Sequence, residues 1–256
     1  MKLLSLNHYW RIIAAGISYI TFGIGAFAPG LYAIILFFLP MSQEEKQRRI
    51  RRSISMLCRF FVNMMQFLGL MNYDIDQQNS FTVEGHLVIA NHPMLIDAAF
   101  ALAYIDNLCC VVKEPLTRNP FTCIPVKLAG YISNDAEDLV EHAAEKLRAG
   151  ENILIFPEGT RNQYDTQLDF KRGAANIAII ANSRILPLVF SCLPRALQKH
   201  EKWYQLPTIK SRILFRILPS MTIEESVDTS LPRTMQYRRL TEFWKDLYLM
   251  EIQSIK

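Results

Sequence analysis

Residues 86–97 read HLVIANHPMLID. The run HLVIA at 86–90 is short and apolar enough to be a buried strand, and Asn91-His92-Pro93 interrupts it at once. Asp97 follows His92 at i+5. On a regular helix that spacing separates two side chains by about 140°, since each residue turns about 100°. The two can meet only if His92 lies outside the helix, at a strand-to-helix turn, with Asp97 reaching back from the first turns. Pro93 agrees with this, because proline is favoured as the first helical residue.

The same alternation continues outward. Strands are expected at 73–76, 85–90, 108–112, 152–156, 185–190 and 211–217, with helices at 93–105, 136–149 and 172–182. Asn134 is placed to cap the helix at 136–149, with Glu137 three residues later, and Gly150 to end it. The tail from Arg233 reads as a further helix with aromatic and basic residues. Strands interleaved with helices specify an α/β fold, a mainly parallel central sheet flanked by helices.

Two further strand ends carry polar residues: VVKEPL at 111–116 and ILIFPEGTRN at 153–162. Ligands of open α/β sheets bind outside the carboxyl ends of the strands, so His92, Lys113 and the Glu158–Arg161 turn are expected on one rim. Gly159 permits close backbone approach, and Arg161 offers a planar fork suited to phosphate. Lys171-Arg172 precedes Gly173 and opens the next helix, where exposed amides and basic side chains make an anion site.

The N-terminal region is of another kind. No charged residue stands between Ile12 and Gln43. This run exceeds the apolar core of a signal peptide, about 7–15 residues, and a spanning helix needs about 20. Pro29-Gly30 falls near its middle, where a helix would kink or break. A tilted single span and a hairpin dipping into one leaflet both satisfy the pattern. Lys46, Arg48, Arg49, Arg51 and Arg52 follow directly, a basic cluster that marks the cytoplasmic side and favours anionic headgroups. Residues 54–71 are then almost wholly apolar, with Arg52, Arg59, Asn63 and Gln66 forming one narrow polar stripe. That helix either lies in the membrane interface or packs between the anchor and the domain. The division expected is therefore a membrane anchor with amphipathic helices over 1–71 and a catalytic domain over 72–256.

Composition limits the function. The chain has 256 residues, half of them apolar, and a formal charge of +4. Basic residues and aromatics are not interleaved, which argues against nucleic acid. Cys58, Cys109, Cys110, Cys123 and Cys192 form no CxxC and no cluster at metal-ligand spacing, as in a reducing compartment. No GxSxG elbow is present, so a serine esterase is not expected.

NHPMLID, followed by FPEGTR at 156–161, resembles the HxxxxD and second signatures of the glycerolipid acyltransferases of the 1-acyl-sn-glycerol-3-phosphate type. Lys113-Glu114 with Pro120-Phe121 resembles the family's intermediate block, and ILPLVF at 185–190 its last block. The resemblance covers roughly residues 80–195. It implies a membrane-bound O-acyltransferase at the cytoplasmic face of the cell inner membrane, anchored by residues 12–43. Such an enzyme moves a fatty acyl group from acyl-CoA or acyl carrier protein to a lysolipid hydroxyl, without metal or cofactor. His92 would be the general base and Asp97 its orienting carboxylate. Asn91, Lys113, Glu158, Gly159, Thr160, Arg161 and Lys171 would bind substrate. Asn134 stands where typical members carry an arginine that helps bind glycerol phosphate. Lysophosphatidic acid is the leading acceptor; lyso-ornithine lipid and aryl-polyene lipid acceptors, and hydrolysis by the same base, are the alternatives.

Overall fold

A computed structural model describes residues 6–77, 83–119, 122–161 and 168–255. Seven strands form one sheet: β1 (Met71–Gln77), β2 (His86–Ala90), β3 (Leu108–Val112), β4 (Ile132–Ser133), β5 (Asn152–Ile155), β6 (Arg184–Leu193) and β7 (Ser211–Ile217). Their order is β1-β7-β6-β2-β5-β3-β4, and all neighbours run parallel except β6 and β7. β2 and β5 lie centrally and are buried along their whole length, which is why they read as continuous apolar runs.

Helices cover both faces. Over the first lie α1 (Leu6–Gly25), α2 (Phe27–Phe37), α3 (Gln43–Phe67) and α4 (Asp97–Tyr104). The short helices α5 (Glu114–Arg118) and α6 (Cys123–Leu128) follow β3. Over the second face lie α7 (Leu139–Arg148), α8 (Gly173–Ala181) and, after the single-turn α9 (Ile223–Ser226), the long α10 (Arg233–Ser254). β2 shows how the period-2 pattern serves both layers: Val88 and Ala90 pack with Phe61, Val62 and Phe100, while Leu87 and Ile89 pack with Ala144, Ala178 and Trp244. Tyr248 of α10 adds a buried hydrogen bond, its hydroxyl donating to the Ile89 carbonyl at 2.6 Å.

Two local expectations are corrected. The helix after His92 begins at Asp97 rather than Pro93. The Met94 N–H is taken by the Asp97 carboxylate (2.7 Å) and the Leu95 N–H by the Leu197 carbonyl (3.1 Å), which holds residues 93–96 in a turn. Asn134 does not cap the helix at 136–149, which starts at Leu139; its Oδ1 instead accepts the Glu114 N–H at 3.0 Å, across to the start of α5. The two-residue β4 is a strand that the sequence pattern does not announce.

The apolar run does not fold back at Pro29-Gly30. The interruption is at Ala26, and Pro29 sits in the first turn of α2, where its missing N–H costs little. α1 and α2 follow one another along α3: the Trp10 indole donates to the Leu68 carbonyl, the Phe22 ring lies tilted against Phe61, and Lys46 donates to the Phe37 carbonyl. The buried face carries Ala14, Ala15, Ser18, Ala33 and Leu36, and the opposite face is exposed and apolar. Residues 6–37 are together long and apolar enough to cross a membrane. α3 packs against α4 through the shared core, so it lies between the apolar helices and the sheet. One member of the basic cluster turns inward: Arg51 is buried, paired with Glu151 at 2.6 Å and donating to the Ala129 carbonyl at 2.8 Å.

Candidate active site

Because β2, β5 and β3 are adjacent and parallel, their carboxyl ends deliver His92, Glu158–Arg161 and Lys113 to one rim of the sheet. His92 and Asp97 meet as the i+5 spacing required. The imidazole Nδ1 lies 2.9 Å from Asp97 Oδ2, and the same oxygen accepts the Met94 N–H. Asp97 is fully buried, and its other oxygen has no hydrogen-bond partner among the described residues. Burial raises the Asp97 carboxyl above the ordinary carboxylate range, against the opposing pull of the His92 hydrogen bond and the Arg161 charge. Nε2 of His92 makes no hydrogen bond among the described residues. The ring stacks on Phe156 with centroids 4.3 Å apart, a contact that fixes its plane.

Two of the residues expected to bind substrate hold the turn itself. Asn91 is buried and exchanges both amide groups with Phe190, donating to its carbonyl (2.8 Å) and accepting its N–H (2.7 Å). Glu158 is also buried, and its Oε1 accepts the His92 N–H at 2.9 Å. The backbone on either side of His92 is thus tied to β6 by Asn91 and to the β5 loop by Glu158.

The cationic side is more open. Gly159 has φ +66, a backbone conformation that favours glycine, and a Cβ there would lie 3.2 Å from Nζ, the movable end of the exposed Lys171 side chain. Lys171 and Lys113 are exposed, and Thr160 is half-buried. The Lys171 N–H donates to the Pro157 carbonyl at 2.9 Å, closing the loop against the start of α8. Arg161 is engaged: Nη1 donates to the carbonyls of Leu197 (3.1 Å) and Gln198 (3.0 Å), and Nη2 approaches that of Lys199 (3.4 Å). The segment 197–199 and Phe156 are parts of the site that sequence reasoning missed. Phe156 left a trace, as an aromatic ending an apolar strand, whereas 197–199 left none. Pro120 and Phe121 of the intermediate block lie outside the described residues.

Among the described residues there is no cluster of His, Cys, Asp or Glu able to hold a metal ion. Burial pushes the Cys58 thiol up to about 12 and those of Cys109 and Cys192 to about 11, which removes all three as thiolate nucleophiles at neutral pH. The arrangement can take a proton at His92 and attract an anion nearby.

A family model described as Acyltransferase matches residues 73–191. The chain is 32% identical over 170 residues to a 1-acyl-sn-glycerol-3-phosphate acyltransferase of Helicobacter pylori, covering 63% of this chain and 68% of that protein. It is 28% identical over 155 residues to the mouse 1-acyl-sn-glycerol-3-phosphate acyltransferase alpha, covering 57% and 53%, so it spans about half of that protein's length. Its fold is similar to the crystal structure of the 1-acyl-sn-glycerophosphate acyltransferase PlsC of Thermotoga maritima, with TM-score 0.71 and 18% identity over 94% of this chain and 98% of that one.

Proposed function

Since the chain belongs to the acyltransferase family, with the 1-acyl-sn-glycerol-3-phosphate acyltransferases as its relatives, we propose that it acylates the free hydroxyl of lysophosphatidic acid. The single observation that carries the mechanism is the His92–Asp97 pair: Nδ1 is bound to a buried carboxylate, and Nε2 has no hydrogen-bond partner among the described residues. In this reading Asp97 fixes the tautomer with the proton on Nδ1, so that Nε2 is the acceptor. Nε2 takes the proton of the lysolipid hydroxyl as its oxygen attacks the carbonyl carbon of an acyl thioester. The C–S bond then breaks, and the imidazolium returns the proton to the departing sulfur. The products are a diacyl phospholipid and a free thiol, with no acyl-enzyme intermediate.

Lys171 and Lys113 supply positive charge for the acceptor phosphate, joined by the amides around Gly159. Arg161 adds charge to the same rim while ordering residues 197–199. Residues 1–71 serve as the membrane-associated part and 72–256 as the catalytic part. The exposed apolar face of α1 and α2 supports membrane association, and exposed Arg48, Arg49 and Arg52 support the cytoplasmic face of the inner membrane. The donor is acyl-CoA or acyl carrier protein.

The test is turnover of lysophosphatidic acid with an acyl thioester, followed by mass spectrometry of the lipid and assay of the thiol. Native protein forms both products in equal amounts. His92→Ala keeps the fold and loses turnover by about 10²–10⁴-fold. Full activity in that variant would sink the mechanism, and thiol release without lipid acylation would make the protein a thioester hydrolase.

A further inference from the structure

Between β6 and β7 the chain makes a long excursion that neither motif reaches, and its exposed side chains are unusual for a loop. Trp203 is 45% exposed, Tyr204 41% and Ile209 72%. This segment is not free to wander. Arg11 of α1 is almost wholly buried and donates to the carbonyls of Pro207 (2.9 Å) and Thr208 (3.3 Å). The Trp203 ring lies against Gly16 of α1, 3.4 Å from where a Cβ would stand. The loop is therefore clamped to the first apolar helix, next to the exposed Ile13, Ile17 and Ile20 of that helix. Lysines accompany the aromatics: Lys199 and Lys202 are exposed, and Lys202 Nζ sits 5.8 Å from the Tyr204 ring centroid.

We propose that residues 202–209 are a second membrane-contacting element, which enters the headgroup region of an anionic bilayer beside α1. The inference rests on the membrane reading of α1 and α2 and extends it to the catalytic part of the chain. Three observations select a bilayer as the occupant. The apolar surface is continuous with a helix apolar enough to cross a membrane. Tryptophan and tyrosine are the side chains that settle at headgroup level, apolar at one end and wet at the other. The flanking lysines match anionic headgroups. The contact also has a consequence for the site. The same excursion carries residues 197–199, whose carbonyls hold Arg161, and Leu197 accepts the Leu95 N–H from the His92 turn. Docking 202–209 on the bilayer therefore sets the rim of the site at the depth where a lysolipid headgroup lies.

The test uses the full chain with vesicles of phosphatidylcholine and phosphatidylglycerol whose acyl chains carry nitroxide. The chain has three tryptophans. Trp244 is fully buried in the opposite layer, so Trp10→Phe leaves Trp203 as the reporter and the further Trp203→Phe variant as the baseline. Vesicles should quench the Trp203 emission above that baseline. Ile209→Asp, at an exposed position that disturbs no packing, should bring the Trp203 quenching down toward the baseline while α1 and α2 keep the protein on the vesicles. It should leave turnover of a short-chain, monomeric lysophosphatidic acid unchanged. If the protein sediments with vesicles while Trp203 stays unquenched, or if Trp203 in Ile209→Asp is quenched as strongly as in native protein, the loop inference is overturned and the helices remain the anchor. Protein that stays in the supernatant overturns the membrane reading as well.

Discussion

The turn after β2 and the loop after β5 lie side by side at the same edge of the sheet, yet they are built in opposite ways. Around His92 the polar groups are enclosed: Asp97, Asn91 and Glu158 are buried, and each accepts a hydrogen bond from the backbone of the turn or of β6. Around Gly159 the charges stand in solvent, with Lys171 and Lys113 exposed. A proton acceptor has to be held in one orientation, which needs a rigid and desolvated frame. An anion arriving with its own hydration needs charge that is accessible and adaptable. Damage to the two sides should therefore appear in different kinetic constants.

The largest expected effect is that of His92→Ala, about 10²–10⁴-fold in kcat with the substrate KM nearly unchanged. Asp97→Asn should cost kcat a similar factor, because the tautomer is no longer fixed, but its stability should move the other way. Burial raises the Asp97 carboxyl, so the fold favours the protonated form, and this contribution is fully present below the ordinary carboxylate range and lost as pH rises through the raised value. Asp97→Asn removes that loss. Its Tm relative to native protein should increase from pH 4 to pH 8, and a decrease over that range would contradict the burial argument.

Glu158→Ala leaves the His92 N–H without its partner and should cost about 1–3 kcal/mol of stability by denaturant titration, with a fall in kcat. Lys171→Ala should sharpen the contrast from the open side. It should raise KM for lysophosphatidic acid about tenfold with kcat retained, and high salt should erase the difference from native protein. A kcat effect at Lys171 as large as that at His92 would break the division between the two sides. Tyr248→Phe, which removes a hydrogen bond to β2 from behind the site, should cost about 1 kcal/mol and leave activity within a few-fold.

Much of the site was legible because its residues sit at strand ends, where a period-2 apolar run stops at polar side chains. His92, Lys113 and Arg161 were placed on one rim by that reasoning. The roles were less legible. Asn91, Glu158 and Arg161 look like ligand-binding groups in a linear reading, since nothing in the chain reveals that Phe190, the His92 N–H and the carbonyls of 197–199 will be within reach. The same limit explains Asn134, which has the right spacing for a helix cap but finds the Glu114 N–H from another segment. It also explains Arg51, indistinguishable in sequence from its exposed neighbours Arg48 and Arg52 until Glu151 approaches it.

By itself, then, the sequence determined the alternation of strands and helices, the apolar N-terminal helix, and the requirement that His92 and Asp97 meet across a turn. All of these follow from local periodicity and from the geometry of a few consecutive residues. Tertiary structure alone decided that α1 and α2 lie along α3 rather than apart from the domain, that Arg161 grips residues 197–199, and that Arg11 clamps the 202–209 loop. Those are contacts between residues far apart in the chain: apolar burial sets the helices against α3, and backbone carbonyls in need of donors set the two arginines.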